Sequence, residues 1–273
     1  MFFSSLNAQN VLKFDKKNVQ CEDKWVCIQM NKDSIYNFGF IYIDATAGLT
    51  LNYEGGFKID KKGGFVRTDP KEKRNSSLKV RLEPNRVLFA EIPEGKFKEL
   101  EIEKTPNWLS NYKNNENSIE RLYRWGFLYN GYQEIEKALT YLEKAEKINP
   151  NFKGLQTELA YSYNALAQYE KAEIALQKDL KNNPDNCYTL KELAYTYNHM
   201  DRQDKSIEVY TNMAKICSNK QFIQETAYNL AYKYFEKKDK PNFEKWNQET
   251  KKWSEVENQY SKNLKAMEIE INK

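Results

Sequence analysis

Three asparagines in the second half of the chain recur at intervals of 34 residues: Asn130, Asn164 and Asn198. A side-chain amide both donates and accepts hydrogen bonds, so a row of amides could pair with the N–H and C=O groups of an extended peptide without reading its sequence. An aromatic residue stands three positions before each asparagine, almost one helical turn away, and could offer flat apolar contact. These aromatic residues are Phe127, Tyr161 and Tyr195. The alternative is that each asparagine merely helps to end its helix, where this residue is well tolerated.

Residues that commonly catalyse reactions form no recognised motif in this sequence. The only histidine, His199, lies near the third asparagine and is expected at a turn facing water, and no G-x-S-x-G nucleophile motif occurs. A carboxylate pair for glycoside chemistry could come from Asp44, Glu54, Asp60 or Asp69. An exposed sugar-binding surface could use Tyr42, Tyr53 or Phe57. Scattered acidic residues at strand ends are more often solvated, so we expect a protein that is not an enzyme and needs no cofactor. The alternative is an enzyme or a carbohydrate-binding protein with its site in the first half.

The asparagines belong to a longer pattern that appears three times between residues 122 and 218. In each copy a small residue stands four positions before the asparagine and a tyrosine stands directly before it, and in the first two a proline follows. Small residues let neighbouring helices approach closely, and a proline ends a helix. The small residues are Gly126, Ala160 and Ala194, the tyrosines are Tyr129, Tyr163 and Tyr197, and the prolines are Pro150 and Pro184. This spacing resembles the tetratricopeptide repeat (TPR) family over about residues 118–253.

The resemblance implies an α-solenoid of stacked helix pairs that binds a protein or peptide partner in a concave groove lined by the first helix of each pair. Members of the family rarely catalyse reactions. The residues expected to line the groove are Tyr123, Phe127, Asn130, Tyr161, Asn164, Tyr188, Lys191, Tyr195, Asn198, Tyr228, Tyr232 and Phe235. The clamp for a C-terminal carboxylate, found in chaperone-binding members, is not carried over because Tyr123 and Phe127 replace its first groups.

A fourth, divergent unit follows the three clear repeats. Its first helix is expected around residues 227–234, displaced by three residues from the regular interval. Its second helix carries Phe243, Trp246 and Trp253 where small residues would stand. We expect Ser254 to Lys273 to form a polar-faced capping helix, because a stack of repeats exposes its apolar face wherever it stops.

Each half of the chain contains one possible cysteine pair, Cys21 with Cys27 and Cys187 with Cys217. The second pair lies at ends of an antiparallel helix pair that are expected side by side, so a disulfide is geometrically possible; two free buried thiols are the alternative. Cys21 and Cys27 lack the C-x-x-C spacing of a metal site, and the histidine is far away in sequence. The sequence therefore predicts no metal site.

The first half reads as short strands rich in β-branched and aromatic residues. We expect strands at 11–14, 25–30, 39–44, 49–53, 57–60, 65–67, 78–82 and 86–92. The reversals are expected at Gly55-Gly56, at Lys62-Gly63-Gly64 and at Glu83-Pro84-Asn85. The predicted fold is therefore an α+β multidomain chain, in which an antiparallel β-sandwich-like domain precedes the TPR solenoid. A curled sheet is the alternative to the sandwich.

Composition and the first residues bear on partners and location. The net charge of +4 is small beside 43 basic and 39 acidic residues, which argues against a dedicated nucleic-acid binder. No run of 18 apolar residues occurs, so we expect no membrane span. Residues 1–9 read like the tail of a secretory signal, with a Leu6-x-Ala8 cleavage pattern before Gln9, and favour export to the periplasm or cell surface. An ordinary cytoplasmic N-terminus is the alternative, and the sequence does not predict the oligomeric state.

The expected organisation has four parts. Residues 1–9 form a signal remnant or a disordered N-terminus, and residues 10–105 form the β-rich domain. Residues 106–117 form a linker, and residues 118–273 form the TPR domain with its capping helix. The boundary near residue 105 rests on a sharp change in composition.

Overall fold

The computed structural model describes residues 12–68, 78–254 and 256–272. The chain divides into two compact units, Met1–Glu134 and Ile135–Lys273, which we call the sheet unit and the helical unit. The expected N-terminal segment 1–9, the beginning of the strand expected at 11–14, and Asp69 lie outside the described residues. The domain boundary drawn from the composition stays a prediction.

The sheet unit contains one antiparallel sheet of seven strands in its described part. Its strands are β1 (Lys16–Lys17), β2 (Lys24–Cys27), β3 (Tyr36–Asp44), β4 (Gly48–Ile59), β5 (Phe65–Arg67), β6 (Leu78–Arg81) and β7 (Leu88–Glu91). The strand order is β1-β7-β2-β3-β4-β5, and β6 also pairs with β4. The long strand β4 therefore has β3 along one edge and both β5 and β6 along the other. Because β3, β5 and β6 all pair with β4, these strands belong to a single sheet. The expected β-sandwich-like domain would instead contain two sheets.

The reversal expected at Gly55-Gly56 is wrong, because both glycines lie within the twelve residues of β4. A Cβ atom at Gly56 would come within 2.8 Å of Ile35 Cγ2 and of Thr68 Oγ1. Glycine at this position therefore permits close approach of the neighbouring chain and does not form a turn. The register also shifts between Phe38 and Gly39 opposite this part of β4, which marks a β-bulge.

The other two expected reversals have different outcomes. Lys62-Gly63-Gly64 does join the neighbours β4 and β5, with Asp60 N donating to Gly64 O at 2.9 Å and Gly63 at a φ of 80°. Glu83-Pro84-Asn85 joins β6 to β7, which pair with different strands. In addition, residues 12–14 are not a strand, and β1 begins at Lys16.

Aromatic side chains at every second position build the core of the sheet unit. Phe38, Phe40 and Tyr42 of β3 are all buried on one face of the sheet, as the two-residue period of a strand requires. Residues 94–112 cover this face and include two 3-10 helices, Glu94–Lys96 and Asn107–Tyr112. In the second of these, the ring of Trp108 lies edge-on to Phe40 and Tyr42, at centroid distances of 5.9 and 5.1 Å.

Helix α1 (Ile119–Gly131) belongs to the sheet unit by its contacts. It begins at Ser118, whose hydroxyl caps the helix by accepting from Arg121 N. Trp125 Nε1 donates to Glu22 Oε1 at 3.0 Å, and the Tyr129 hydroxyl donates to the other oxygen of the same carboxylate. The Glu22 carboxylate therefore ties two aromatic side chains of α1 to the segment that precedes β2.

The described part of the helical unit consists of helices that pair in sequence order. They are α2 (Ile135–Ile148), α3 (Leu155–Ala165), α4 (Tyr169–Asn182), α5 (Cys187–His199), α6 (Gln203–Ile216), α7 (Lys220–Glu236), α8 (Lys240–Lys252) and α9 (Gln259–Ile271). Helices α3, α5 and α7 are first helices of pairs with α4, α6 and α8, and consecutive first helices contact each other. This arrangement confirms the stacked helix pairs implied by the repeat pattern.

Repeated residues set the packing and the turns of the pairs. Ala160 and Ala194 are buried with almost no exposed surface, so the first helices pack closely at these positions. The tight turn after each first helix places a residue in the left-handed region, with φ of 56° at Ala167, 57° at Asp201 and 55° at Lys238. The second helices α2 and α4 end two residues before Pro150 and Pro184, as predicted.

The end of the helical unit is closed by α9, which lies within the segment 254–273 that was expected to form a capping helix. Leu264 and Met267 insert into the apolar cluster that includes Phe243 and Trp246 of α8. The large side chains of α8 are therefore buried in a cluster to which α9 contributes. No helix in the described ranges is long and apolar enough to cross a membrane.

Cys187 and Cys217 form a disulfide with a Cα–Cα distance of 5.8 Å. The bridge joins the start of α5 to the residue after α6, so the structure selects the disulfide over two free thiols. Cys21 and Cys27 are free and buried.

Candidate functional site

The asparagines of the repeats lie deep between consecutive first helices. Asn164 on α3 is 5% exposed; its Nδ2 donates to Glu192 Oε2 at 3.2 Å, and its Oδ1 accepts from Thr196 Oγ1 at 2.9 Å. Both contacts are to α5. Asn198 on α5 is 3% exposed, and its Nδ2 donates to the carbonyl oxygen of Asn229 on α7 at 2.7 Å. These amides connect each first helix to the next, a role that neither the peptide-ladder interpretation nor the helix-ending interpretation included.

Aromatic side chains cover the same first helices at shallower depth. Tyr188 and Tyr195 are spaced seven residues apart on α5, so they share a face of that helix. Both are half-buried, as is Tyr161 on α3. Burial raises the pKa of Tyr195, and the neighbouring Tyr169, Glu192 and Tyr161 raise it further. The structure thus brings the predicted residues Tyr161 and Tyr195 near each other.

Lys191 stands between the two tyrosines of α5 and is held from several sides. Its Nζ lies 2.8 Å from Glu192 Oε1 and 3.2 Å from Glu225 Oε1. The same ammonium lies 5.1 Å from the ring centroid of Tyr188 and 5.6 Å from that of Phe222. Burial alone would lower the pKa of Lys191, but the two carboxylates outweigh it and the pKa is raised.

Helix α7 continues the aromatic row. Tyr228 and Tyr232 lie one turn apart with ring centroids 6.4 Å from each other, and Phe235 follows at 6.5 Å from Tyr232. Tyr260 of α9 packs on Tyr228 at 4.8 Å. Tyr232 is 43% exposed. We call this surface the tyrosine face, which comprises Tyr161, Tyr188, Lys191, Tyr195, Tyr228, Tyr232 and Phe235.

Three of the predicted groove residues belong to α1 in the sheet unit. The rings of Tyr123 and Phe127 are 6.4 Å apart, and Phe127 is 43% exposed. Asn130 is 2% exposed, like its counterparts in the later repeats. Their participation in one groove with the tyrosine face stays a prediction.

Most of the described residues that were proposed as an alternative site in the sheet unit serve its fold. Asp44 accepts from the backbone N–H groups of Thr46 and Ala47 within its own turn. Asp60 does the same in the next turn, while Glu54 pairs with Arg67 at 3.3 Å. Tyr42 and Phe57 are fully buried in the core. These contacts leave Tyr53 as the partly exposed member of the aromatic set.

Tyr53 lines a cavity of about 410 Å³ on the sheet unit. Its hydroxyl donates to Asn37 Oδ1 at 3.2 Å. Most of the remaining lining is aliphatic or aromatic, from Val26, Ile28, Leu51, Val80, Leu82, Val87 and Phe89. Such a lining offers few partners for sugar hydroxyls and no acid–base pair, so it does not favour the glycoside alternative.

Sequence reasoning missed the acidic residues under the tyrosine face. Glu158 and Glu192 are each 5% exposed and stand 34 residues apart, at the repeat interval. This repeat spacing is visible in the sequence and could have identified the two glutamates. Phe222 and Tyr260 were missed because their positions on the face depend on how α7 and α9 pack.

Comparisons with known proteins give limited similarity. No family model matches the chain, and no curated protein matches it. Solved structures that match include "Crystal structure of MamA", at 18% identity and a TM-score of 0.45, covering 59% of this chain and 90% of that chain. "MamA MSR-1 C2" matches at 19% identity and a TM-score of 0.43, covering 54% of this chain and 85% of that chain. The description of the helical unit as stacked helix pairs therefore rests on the contacts within this chain.

Proposed function

We propose that the protein is a non-enzymatic interaction module whose helical unit binds a peptide or protein partner on the tyrosine face. The observation that carries the proposal is the recurrence of half-buried and exposed aromatic side chains on successive first helices. A monomer gains little from exposing such rings, whereas tyrosine is enriched where proteins bind partners, since its ring packs and its hydroxyl stays hydrated.

The buried amides support this proposal indirectly. Hydrogen bonds from Asn164 to α5 and from Asn198 to α7 fix neighbouring first helices against each other. The tyrosines therefore lie on a surface that is already ordered before a partner binds. Because of this order, the protein loses less conformational entropy on binding. In this account the aromatic residues make the contacts and the asparagines position the helices.

Site-specific photo-crosslinking in the cells that express the protein tests the proposal. A photoreactive phenylalanine derivative would replace Tyr232, which is 43% exposed, and in a matched variant Ile174 on α4, which is 67% exposed. We expect a discrete crosslinked adduct from position 232 and none from position 174. Adducts from position 174 alone, or from neither position, would contradict the proposal.

We also propose that the protein is exported. The disulfide between Cys187 and Cys217 supports export, since such bonds persist mainly in oxidising compartments. The Leu6-x-Ala8 pattern near the N-terminus supports it independently. N-terminal sequencing of the natively expressed protein tests this proposal. We expect a mature chain that begins near Gln9, and an intact Met1 would contradict export.

A further inference from the structure

Carboxylates outnumber cations in the cluster around Lys191 on the tyrosine face. Each first helix supplies a glutamate: Glu158 from α3, Glu192 from α5 and Glu225 from α7. Lys191 is the cation that lies among them, bridging Glu192 and Glu225. The two carboxylates of Glu192 and Glu225 around the single ammonium of Lys191 leave this cluster with excess negative charge at neutral pH.

Lys191 shows how this face holds a cation. Its ammonium is placed between two carboxylates and over two aromatic rings, and only 12% of its side chain is exposed. Carboxylates and the faces of aromatic rings both attract cations, and the attraction strengthens when water is excluded. The same two kinds of group continue beyond Lys191, because Glu225 also interacts with Tyr260 of α9.

The same carboxylates act on neighbouring tyrosine hydroxyls, in addition to the effect of burial. Burial raises the pKa of Tyr188, and the carboxylates of Glu158 and Glu192 raise it further. Burial also raises the pKa of Tyr260, with Glu225 as the next contribution. An acidic partner residue on this face would meet repulsion, whereas a lysine or arginine would be attracted.

We infer that the partner segment bound by the tyrosine face is basic, with lysine or arginine side chains that stack on the tyrosines and approach Glu225. This inference rests on the proposed function and specifies the partner's chemistry. Its attraction would be strongest at low ionic strength and weakened by salt, since Glu225 and Tyr232 are solvent-accessible.

Selection from a random peptide library displayed on phage, with the full chain immobilised, tests the inference without knowledge of the natural partner. Peptides enriched by the wild-type chain are expected to be richer in lysine and arginine than the input library. A labelled copy of the most enriched peptide then serves as the probe for affinity. We expect Glu225→Lys to weaken its binding by about tenfold or more, and Glu225→Gln by less. Glu208→Lys, the same charge change at an exposed site on α6, is expected to leave binding unchanged.

Enriched peptides of neutral or acidic composition would overturn the inference, as would no enrichment at all or an equal effect of Glu225→Lys and Glu208→Lys. The Gln variant decides the outcome if Glu225→Lys fails to fold. A Tyr232→Ala variant separates the two proposals. Neutral peptides that bind the Tyr232→Ala variant more weakly than the wild type would contradict the basic partner but support the binding face. Neutral peptides that bind this variant as tightly as the wild type would contradict both proposals.

Discussion

The side chain of Asn164 bridges two residues of the next first helix, as it donates to Glu192 at 3.2 Å and accepts from Thr196 at 2.9 Å. Both partners are buried, so the amide satisfies polar groups that water does not reach. An asparagine recurring at the repeat interval thus has a stacking role in the helical unit.

Replacing Asn164 by alanine is expected to lower the free energy of unfolding by about 1–3 kcal/mol, because the buried Glu192 and Thr196 each lose a hydrogen-bond partner. Thermal and urea denaturation would measure the change. Asn182→Ala, at an exposed position of α4, is the matched control and is expected to change stability by less than about 0.5 kcal/mol. Equal stabilities of the two variants would argue that the bridge contributes nothing.

The triple substitution of Asn130, Asn164 and Asn198 by alanine distinguishes the stacking role from a peptide ladder. If the amides fix the helices, the triple variant loses thermal stability first, and any residual folded protein keeps its affinity for the labelled peptide. If the amides contact the partner, affinity falls while the melting temperature changes little. Titration of the peptide at a temperature where the variant is still folded measures the difference.

Reducing the Cys187–Cys217 bridge is expected to destabilise the helical unit. A disulfide that closes a loop of this length, at a sequence separation of 30, contributes roughly 2–4 kcal/mol. Thermal melts with and without dithiothreitol measure the effect. A Cys187→Ala/Cys217→Ala variant should melt at the same temperature in both conditions. If dithiothreitol still lowered the melting temperature of this variant, the effect would arise from another site.

Cys21 and Cys27 are expected to resist alkylation in the folded protein. Burial raises the pKa of each thiol from its ordinary 9.0 to about 12, so the reactive thiolate is scarce in the native state at about pH 8. Mass spectrometry after iodoacetamide treatment should find these two residues labelled only when denaturant is present. Rapid labelling in native buffer would show that the thiols are accessible.

The same shifts give a direction for stability against pH. Above pH 9 the unfolded chain releases the two thiol protons, whereas the folded chain keeps them until about pH 12. Their contribution to stability is therefore fully present below pH 9 and is lost as the pH rises from 9 to 12. Urea denaturation of the wild type and of a Cys21→Ala variant across this range would measure it, with a shallower decline expected for the variant.

The two units are expected to fold with separate cores. Ala160 is fully buried in a helix crossing, so Ala160→Phe should disrupt the helical unit and leave the sheet unit folded. Limited proteolysis followed by mass spectrometry should yield a resistant fragment that ends near residue 134. Ala165→Phe, at an exposed position of α3, is the control and should remain resistant throughout. Simultaneous loss of both units in the Ala160 variant would contradict independent folding.

The sequence by itself determined the helix pairs, because their packing repeats every 34 residues and leaves a periodic record in small residues such as Ala160 and Ala194. It also indicated the closing helix after α8 and the possible Cys187–Cys217 bridge. These features are local or depend on neighbours along the chain, so residue type and spacing were enough to predict them.

Only the tertiary structure decided the arrangement of the sheet and the surroundings of the candidate site. Gly55 and Gly56 suit a turn as well as a crowded strand, and it is their pairing with Phe38 and Asn37 of β3 that makes this segment part of β4. Likewise, sequence spacing put Asn164 on a groove helix but could not show that its amide lies buried against Glu192. Which side of a half-buried residue faces solvent depends on how closely the next helix approaches. The separation of the two helices is set by packing across the whole unit.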